Sequence, residues 1–268
     1  MITADELLDL CRQHFDPRAE PFTHAGQEQT TVLRIATRDG EVVVKVHHDR
    51  DRYDREHNAY RHWAPVLAER APRLLAEIDD PLALIVTALP GTPVAELTLA
   101  AEAERDVFAQ AGTILAAWHA AQPPRDIPNM TAWLADRGEQ WLQLAEPILP
   151  VAERAEIRAH LRELATLGPL PAVPCHLDFT PRNLLRAPEG AVGVIDFEHA
   201  RYDLAARDLV RLASRIWRDR PDLEDAFLAG YGSLSDLDRQ VIEHCTHLDR
   251  LTAAVRATGR SLPAVTPK

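Results

Sequence analysis

The apolar and polar positions of the first ninety residues follow patterns typical of β-strands. Residues 31–37 and 41–46 are rich in β-branched side chains and flank an Asp-Gly pair, which is typical of a hairpin turn. A third apolar run, residues 81–89, ends at a Pro-Gly pair, which predicts a buried strand followed by a break in the chain. This part of the chain therefore predicts a small sheet.

Apolar residues at helical spacing predict the longer elements that follow. Residues 102–121 carry one continuous apolar face, and residues 131–167 predict two helices interrupted by prolines. Residues 235–255 predict a final helix, which the Ser235 hydroxyl can cap. The second half of the chain is therefore expected to be mostly helical.

One stretch, residues 175–197, carries the candidate chemistry. Residues 183–186 predict a short strand, which a turn joins to a second strand over residues 192–195. This hairpin would bring Asn183 and Asp196 together. Their amide and carboxylate oxygens suit Mg2+, which takes few protein ligands and completes its shell with phosphates and water.

Asp178 lies in the polar loop before this hairpin, five residues ahead of Asn183. Without a second ligand beside it, its carboxylate is free to accept a proton. In phosphoryl transfer, one carboxylate orients the attacking hydroxyl, while two metal-holding residues fix the nucleotide phosphates. The stretch supplies one residue for each role and predicts a phosphoryl-transfer site.

Such a site also needs a strand lysine to meet the nucleotide phosphates and a helical glutamate to hold that lysine. Lys45 lies in the second strand of the first predicted hairpin. Eleven residues later, Glu56 shares one predicted helical face with Tyr60 and Trp63, and that face would turn inward. Lys45 and Glu56 are therefore the candidates for this pair.

The motif HLDFTPRN, residues 176–183, followed by VIDFEHARYDLAARDL, residues 194–209, resembles the motifs of the aminoglycoside phosphotransferase and choline kinase superfamily. Members of this superfamily are small-molecule relatives of protein kinases, and the resemblance spans most of the chain. It implies that Asp178 is the catalytic base and that Asn183 and Asp196 hold Mg2+.

The same resemblance implies supporting roles for three residues near these motifs. His176 would brace the catalytic loop, and Asp208 would be a buried anchor beneath it. Glu198 would assist the metal or the substrate. Asp203, close to the metal motif, is the best single candidate for contacting the acceptor.

The resemblance also assigns the nucleotide-binding residues. Lys45 would contact the phosphates and Glu56 would orient it. The segment that begins at Gly26 takes the place of the phosphate-covering loop, although an ordinary strand-entry turn fits it equally well. Thr87 to Leu89 take the place of the interlobe hinge, where backbone amides would bind adenine.

The implied fold is α+β: a bilobal, protein-kinase-like fold with an N-terminal antiparallel sheet lobe and a larger, mostly helical C-terminal lobe. Residues 1–90 would form the nucleotide-binding lobe and end in the hinge. Residues 91–268 would carry the catalytic loop, the metal site, a helical substrate-binding insert at about 123–168 and the tail. The implied cofactors are ATP and Mg2+, with GTP left open by the sequence.

Composition narrows the class of partner. The 30 basic and 41 acidic residues give a formal charge of -11. This charge disfavours nonspecific binding of nucleic acid and mildly favours a cationic small substrate. Three cysteines without paired or metal-binding spacing, and a start without an apolar signal segment, predict a reducing cytoplasm. No apolar run predicts a membrane span, and no obligate protein partner is indicated.

The expected activity is transfer of the γ-phosphoryl group of ATP to a hydroxyl of a small molecule, with an antibiotic as the favoured acceptor. One alternative is a metabolite kinase for choline, an amino alcohol or a sugar. Another is a catalytically inactive, kinase-like binding or regulatory module. A mononuclear iron site at His176, Asp178 and His199 is a further alternative, but it expects a jelly-roll of many strands.

Overall fold

The computed structural model describes residues 3–21, 32–38 and 40–262. The chain forms two compact units: Met1–Leu99 with Pro181–Ala200, and Ala100–Thr180 with Arg201–Lys268. The first unit is discontinuous in sequence, because the predicted metal-binding hairpin belongs with the N-terminal strands. The division into lobes at residue 90 stays a prediction.

The long helices lie mostly in the second unit, whereas strands occur in both. The strands are β1 (Glu20–Pro21), β2 (Val32–Thr37), β3 (Gly40–Val46), β4 (Leu74–Asp79), β5 (Leu82–Thr87), β6 (Thr92–Pro93), β7 (Arg125–Asp126), β8 (Pro171–Cys175), β9 (Leu184–Arg186), β10 (Val192–Val194) and β11 (Arg201–Leu204). The helices are α1 (Ala4–His14), α2 (Arg50–His62), α3 (Ala101–His119), α4 (Met130–Leu144), α5 (Val151–Thr166), α6 (Val210–Leu212), α7 (Pro221–Tyr231) and α8 (Asp236–Arg256). None of those in the described ranges is both long and apolar enough to cross a membrane.

A five-stranded antiparallel sheet organises the first unit, in the order β1–β2–β3–β5–β4. The first predicted hairpin is confirmed, with Thr37 opposite Gly40 and Val32 opposite Lys45. The predicted buried strand is β5, which lies between β3 and β4. Alternate residues of β3 are buried in a core that also contains residues of α1. The intervening side chains of β3, Lys45 among them, therefore point to the other face.

The second predicted hairpin is also confirmed. β9 and β10 pair with Leu184 opposite Val194, and β6 completes a three-stranded sheet. The predicted break after β5 contains Gly91, whose φ is 120°. A Cβ at Gly91 would lie 2.6 Å from the backbone oxygen of Arg186 at the end of β9, so both the φ angle and the close approach require glycine.

Two helices begin at capping boxes. Thr3 and Glu6 exchange side-chain and backbone hydrogen bonds at the start of α1, and Ser235 and Asp238 do the same at the start of α8. These bonds satisfy backbone N–H groups that have no partner within the helix. The predicted Ser235 cap is therefore confirmed.

A three-stranded sheet in the second unit is ordered β11–β8–β7, and the sequence predicted none of its strands. β11 lies in the half of the chain that was expected to be mostly helical. β11 escaped prediction because its buried side chains include Asp203, which breaks the apolar and polar alternation of an ordinary strand. Elsewhere in the described part of this unit, helices predominate, so the jelly-roll required by the iron alternative is not formed.

Helices α3 and α7 pack with their backbones in close contact. A Cβ at Gly112 would lie 2.1 Å from the backbone oxygen of Phe227, and a Cβ at Gly230 would lie 2.1 Å from that of Ala109. Neither site has room for a side chain. This packing brings together the ends of the two helices, where the His119 ring nitrogen Nδ1 lies 2.9 Å from the Tyr231 hydroxyl.

Replacing Gly112 with alanine is expected to destabilise the protein by about 1–3 kcal/mol, because helix backbone must move to admit the methyl group. Gly138 offers a matched comparison, since its Cβ would meet the flexible end of the Leu161 side chain at 2.4 Å. Gly138→Ala should cost less stability. The higher helix propensity of alanine than of glycine also offsets part of that cost. Urea unfolding of both variants checks this order, and equal or reversed losses would contradict it.

Candidate functional site

Lys45 occupies the centre of the sheet in the first unit. It lies on β3 opposite Val32 of β2 and Leu84 of β5, with its side chain 16% exposed. Its Nζ atom lies 2.9 Å from Glu56 Oε2 and 2.7 Å from Asp196 Oδ1. Glu198 Oε2 lies 3.4 Å away. The structure thus brings together four residues that the sequence singled out separately.

The charge balance of this cluster keeps Lys45 protonated. Burial favours the neutral amine, but the charges of Glu56 and Asp196 outweigh it and raise the pKa of Lys45 above its usual value. Glu198 adds to this effect and is itself paired with Arg52, whose Nη1 lies 3.0 Å from Glu198 Oε1. Glu198 is therefore placed within the lysine cluster.

Glu56 is buried on the inward face of α2, as its helical spacing predicted. Its Oε1 atom accepts a hydrogen bond from Lys45 Nζ at 3.2 Å and another from the backbone N–H of Phe197 at 3.3 Å. Tyr60, one turn further along α2, packs edge-on against the Phe197 ring. These contacts fix the helix to the segment that follows Asp196.

Asn183 and Asp196 lie at the two ends of the β9–β10 hairpin. The backbone N–H of Ile195 donates to the Asn183 carbonyl oxygen at 3.0 Å and extends the pairing by one step. Asp196 then adopts a φ of 70°, a left-handed conformation that is uncommon outside glycine. Such strain is often found at functional sites.

The side-chain oxygens of Asn183 and Asp196 are of the kinds that bind a hard divalent cation. Mg2+ prefers carboxylate and carbonyl oxygens, and both kinds are supplied here. The Asp196 side chain is 33% exposed, so its carboxylate can be reached from solution. Asn183 and Asp196 are therefore suitable magnesium ligands in the chemistry of their side chains.

A cavity of about 490 Å³ opens beside Lys45 within the first unit. This volume lies in the range of small-molecule sites. Its walls are mostly aliphatic, whereas Lys45, Glu56, Asn183, Asp196 and Glu198 supply ionic and polar groups. The aliphatic lining residues are Val32, Val43, Leu84, Val86, Ala88, Leu89, Leu185 and Ile195.

Thr87 and Leu89, the predicted hinge residues, also line this cavity. The Thr87 N–H donates to the Arg73 carbonyl oxygen at 2.9 Å, and the Ala88 N–H donates to that of Glu41 at 3.0 Å. Both amides are thus committed to the unit's own backbone. Gly26, the candidate of the phosphate-covering loop, lies outside the described residues.

The residues of the predicted catalytic loop, His176 to Asp178, lie in the second unit, directly after β8. Leu177 has a φ of 61°, which is unfavourable for a branched side chain. Asp208 supports this conformation, because its carboxylate accepts hydrogen bonds from the backbone N–H groups of His176, at 2.8 Å, and Leu177. His119 Nε2 lies 3.0 Å from the same carboxylate. Asp208 is buried, as expected for an anchor beneath the loop.

His176 is buried within this loop and accepts a hydrogen bond at Nδ1 from the Asp178 N–H, at 3.2 Å. Its ring packs against Trp118 and Phe179. This geometry suits the bracing role that the sequence resemblance implied.

Asp178 forms an ion pair with Arg211, a residue that the sequence analysis missed. Arg211 Nε also donates to Asp249 Oδ1 of α8 at 3.1 Å, and Arg215 Nη2 donates to Asp249 Oδ2 at 2.7 Å. The available signal was weak: two arginines one helical turn apart, with their acidic partner far along the chain. The result is a network of two cations and two anions.

Asp203, the acceptor-contact candidate, is fully buried on β11. Arg201 Nη2 lies 3.1 Å from its Oδ2 atom, Arg207 pairs with the same atom, and the Leu204 N–H donates to Oδ1 at 2.9 Å. This environment favours a structural role.

Burial also raises the pKa of the neighbouring Cys175 well above its usual value, so that thiol stays protonated.

Asp208→Asn is expected to cost about 1–3 kcal/mol at neutral pH, because the variant retains one acceptor oxygen where the carboxylate used both. Burial raises the pKa of Asp208, but the hydrogen bond and charge of His119, with His176, hold it below the usual 3.8. Stability from a depressed pKa is present above the unfolded-state value and is lost as pH falls through the folded-state value. The cost should therefore shrink below about pH 4.

Urea unfolding of the wild type and Asp208→Asn across this pH range is the measurement. Exposed Asp225, replaced by asparagine, serves as the control and should leave stability nearly unchanged throughout. A cost that grows in acid would show that the carboxylate is not held in its charged form.

Known proteins share the family pattern and the fold of this chain. The sequence model of the phosphotransferase enzyme family matches residues 19–243. No curated protein is similar enough in sequence to match the chain. A solved aminoglycoside-3'-phosphotransferase of type VIII aligns with a TM-score of 0.62 at 22% identity, over 92% of this chain and 98% of its own.

Two further solved structures share the fold. A macrolide 2'-phosphotransferase from Brachybacterium faecium has a TM-score of 0.61 at 22% identity, and the alignment covers 96% of this chain and 93% of that one. An aminoglycoside phosphotransferase from Streptomyces rimosus, solved with ADP and streptomycin, has a TM-score of 0.57 at 20% identity, with 94% and 99% covered. These similarities confirm the predicted protein-kinase-like α+β fold class.

Proposed function

Since the chain belongs to the phosphotransferase enzyme family and is a small-molecule phosphotransferase, we propose that it moves the γ-phosphoryl group of ATP to a hydroxyl of an antibiotic. The observation that carries this proposal is the Lys45 cluster. A protonated lysine, held by Glu56 and Asp196, stands beside an aliphatic cavity of about 490 Å³. An apolar pocket with a cation suits a planar base linked to phosphates.

The cavity would hold the adenine between its aliphatic walls. The amides of Thr87 and Ala88 are already used, whereas the Leu89 amide has no hydrogen-bond partner among the described residues. Leu89 is therefore the proposed backbone donor to the base. Lys45 would contact the phosphates, and Glu56 would keep it in place.

Asn183 and Asp196 would hold Mg2+, which when bound neutralises charge on the transferred phosphoryl group. Asp178 would accept the proton of the attacking hydroxyl. Arg211 would act as a positioning residue, because it forms ion pairs with both the Asp178 carboxylate and the Asp249 carboxylate. His176 and Asp208 would keep the backbone of the catalytic loop in its strained conformation.

A second candidate function is suggested by the network around Asp178. Its two arginines balance its two aspartates, so it offers no excess negative charge to a polycation. This balance favours an acceptor with few positive charges. Such an acceptor could be a weakly basic antibiotic or a metabolite such as an amino alcohol or a sugar.

Mass spectrometry of candidate acceptors after incubation with the protein, Mg2+ and ATP tests both functions. The panel should include aminoglycosides, macrolides, peptide and nucleoside antibiotics, choline and sugars, with Asp178→Ala as the inactive control. A one-phosphoryl gain on an antibiotic, lost in the control, is the expected result. A gain on a metabolite alone would overturn the antibiotic assignment. Nucleotide binding without transfer to any acceptor would favour the inactive-module alternative.

A further inference from the structure

Three histidines meet where α5 packs against α8 in the second unit. His160 lies on α5, and His244 and His247 lie one turn apart on α8. The Nδ1 atoms of His160 and His244 are 3.1 Å apart. The rings of His160 and His247 are stacked, with centroids 3.6 Å apart and planes 15° from parallel. The imidazoles therefore form one cluster centred on His160.

Carboxylates border this cluster. Glu156 precedes His160 by one turn of α5, and its Oε1 atom lies 4.0 Å from His247 Nδ1. Glu156, His160 and His247 each offer a ligand atom, and these three atoms lie within 4.8 Å of one another. Glu156 is exposed, and both histidines of this triad are partly exposed, so an ion can reach it from solution.

Helix packing alone does not account for these residues. An apolar cluster that includes Ile157, Leu161, Leu248 and Leu251 already joins the two helices. The histidines therefore add ring nitrogens, which are common metal ligands, beside this apolar contact.

The spacing of the donor atoms is close to that of a zinc site. Ligands of tetrahedral Zn2+ at bond lengths near 2.0–2.1 Å lie roughly 3.3 Å from one another. The donor atoms lie within 4.8 Å of one another, and side-chain rotation can bring them to this spacing, because Glu156 is exposed and His247 is partly exposed. A nitrogen-rich triad with one carboxylate matches the ligands that zinc prefers.

We propose that Glu156, His160 and His247 bind one Zn2+ ion, which clasps α5 to α8. His244 acts as a positioning residue, since its Nδ1 atom contacts that of His160 and fixes the orientation of the ring. The site is separate from the oxygen donors Asn183 and Asp196 and does not depend on the proposed function.

Zinc binding to the untagged, chelator-treated full chain tests this proposal. Equilibrium dialysis against Zn2+, with excess Mg2+ present to occupy oxygen donors, should give one tightly bound zinc per chain. His160→Asn and His247→Asn should weaken binding by roughly a hundredfold or more, since even residues that only support a ligand change affinity by about 10–100-fold. Zinc should also raise the Tm of the wild type but not that of His160→Asn.

Two matched controls define the site. His14→Asn removes an exposed histidine of α1, and Glu243→Gln removes a carboxylate that forms a different triad with His160 and His244. Both variants should bind zinc like the wild type, whereas Glu156→Gln should bind it more weakly. Equal binding by the wild type and His160→Asn would overturn the proposal. Loss of zinc in Glu243→Gln but not in Glu156→Gln would overturn the assigned triad.

Discussion

Asp178→Asn is expected to lower kcat by roughly a hundred- to ten-thousand-fold, the range for loss of a general base. Asparagine keeps the size of the side chain but cannot accept the hydroxyl proton. The backbone N–H of residue 178 can still donate to His176, so the loop keeps this support. Steady-state kinetics with the acceptor found by mass spectrometry, at saturating nucleotide, measure the effect.

Asp249→Asn is the matched control for this experiment. Asp249 contacts the same arginine as Asp178, at 3.1 Å, but has no proposed role in proton transfer. Its replacement should lower kcat far less. A near-normal kcat in Asp178→Asn, or equal losses in the two variants, would reject Asp178 as the base and leave a general effect of the ion-pair network.

Lys45→Met is expected to lower kcat/KM for the nucleotide by roughly a hundred- to a thousandfold, as removal of one preorganised electrostatic contact does. The same change should also cost roughly 3–5 kcal/mol of stability, because the buried Glu56 carboxylate loses the Lys45 ammonium, although it keeps its contacts with His47 Nε2 and the Phe197 N–H. Kinetics and urea unfolding must therefore be measured on the same variant.

The double variant Lys45→Met/Glu56→Gln separates the two effects. Neutralising Glu56 removes the uncompensated buried charge, so much of the stability should return. The activity should not return, since neither side chain can contact phosphates as a cation. Recovery of both stability and kcat/KM would show that Lys45 acts only through folding.

The sequence predicted the elements that are determined by residues close to one another in the chain. Both hairpins were predicted because short apolar or β-branched runs flank turn residues in the sequence. Glu56 was predicted to face inward because helical spacing links it to Tyr60 and Trp63. Confirmed elements of this kind need only neighbours within a few residues.

The ion pair between Arg211 and Asp178 could not be predicted in this way. Its partners are 33 residues apart and belong to different elements, so no spacing rule connects them. The left-handed conformation of Leu177 was equally hidden, since no glycine marks the position. Asp208 supports that conformation from 31 residues away. Tertiary contacts therefore decide the fine geometry of the catalytic loop.

The discontinuity of the first unit has a consequence for the order in which the protein matures on the ribosome. Folding during synthesis begins from the N-terminus. The first 99 residues emerge without Asp196 and Glu198, two of the three carboxylates around Lys45, and without β9, the strand that pairs with β6. The predicted catalytic loop likewise lacks its hydrogen bonds to the Asp208 carboxylate until residue 208 has been synthesised. The proposed catalytic residues can therefore all be in place only after translation has passed residue 208, although the lysine is made early.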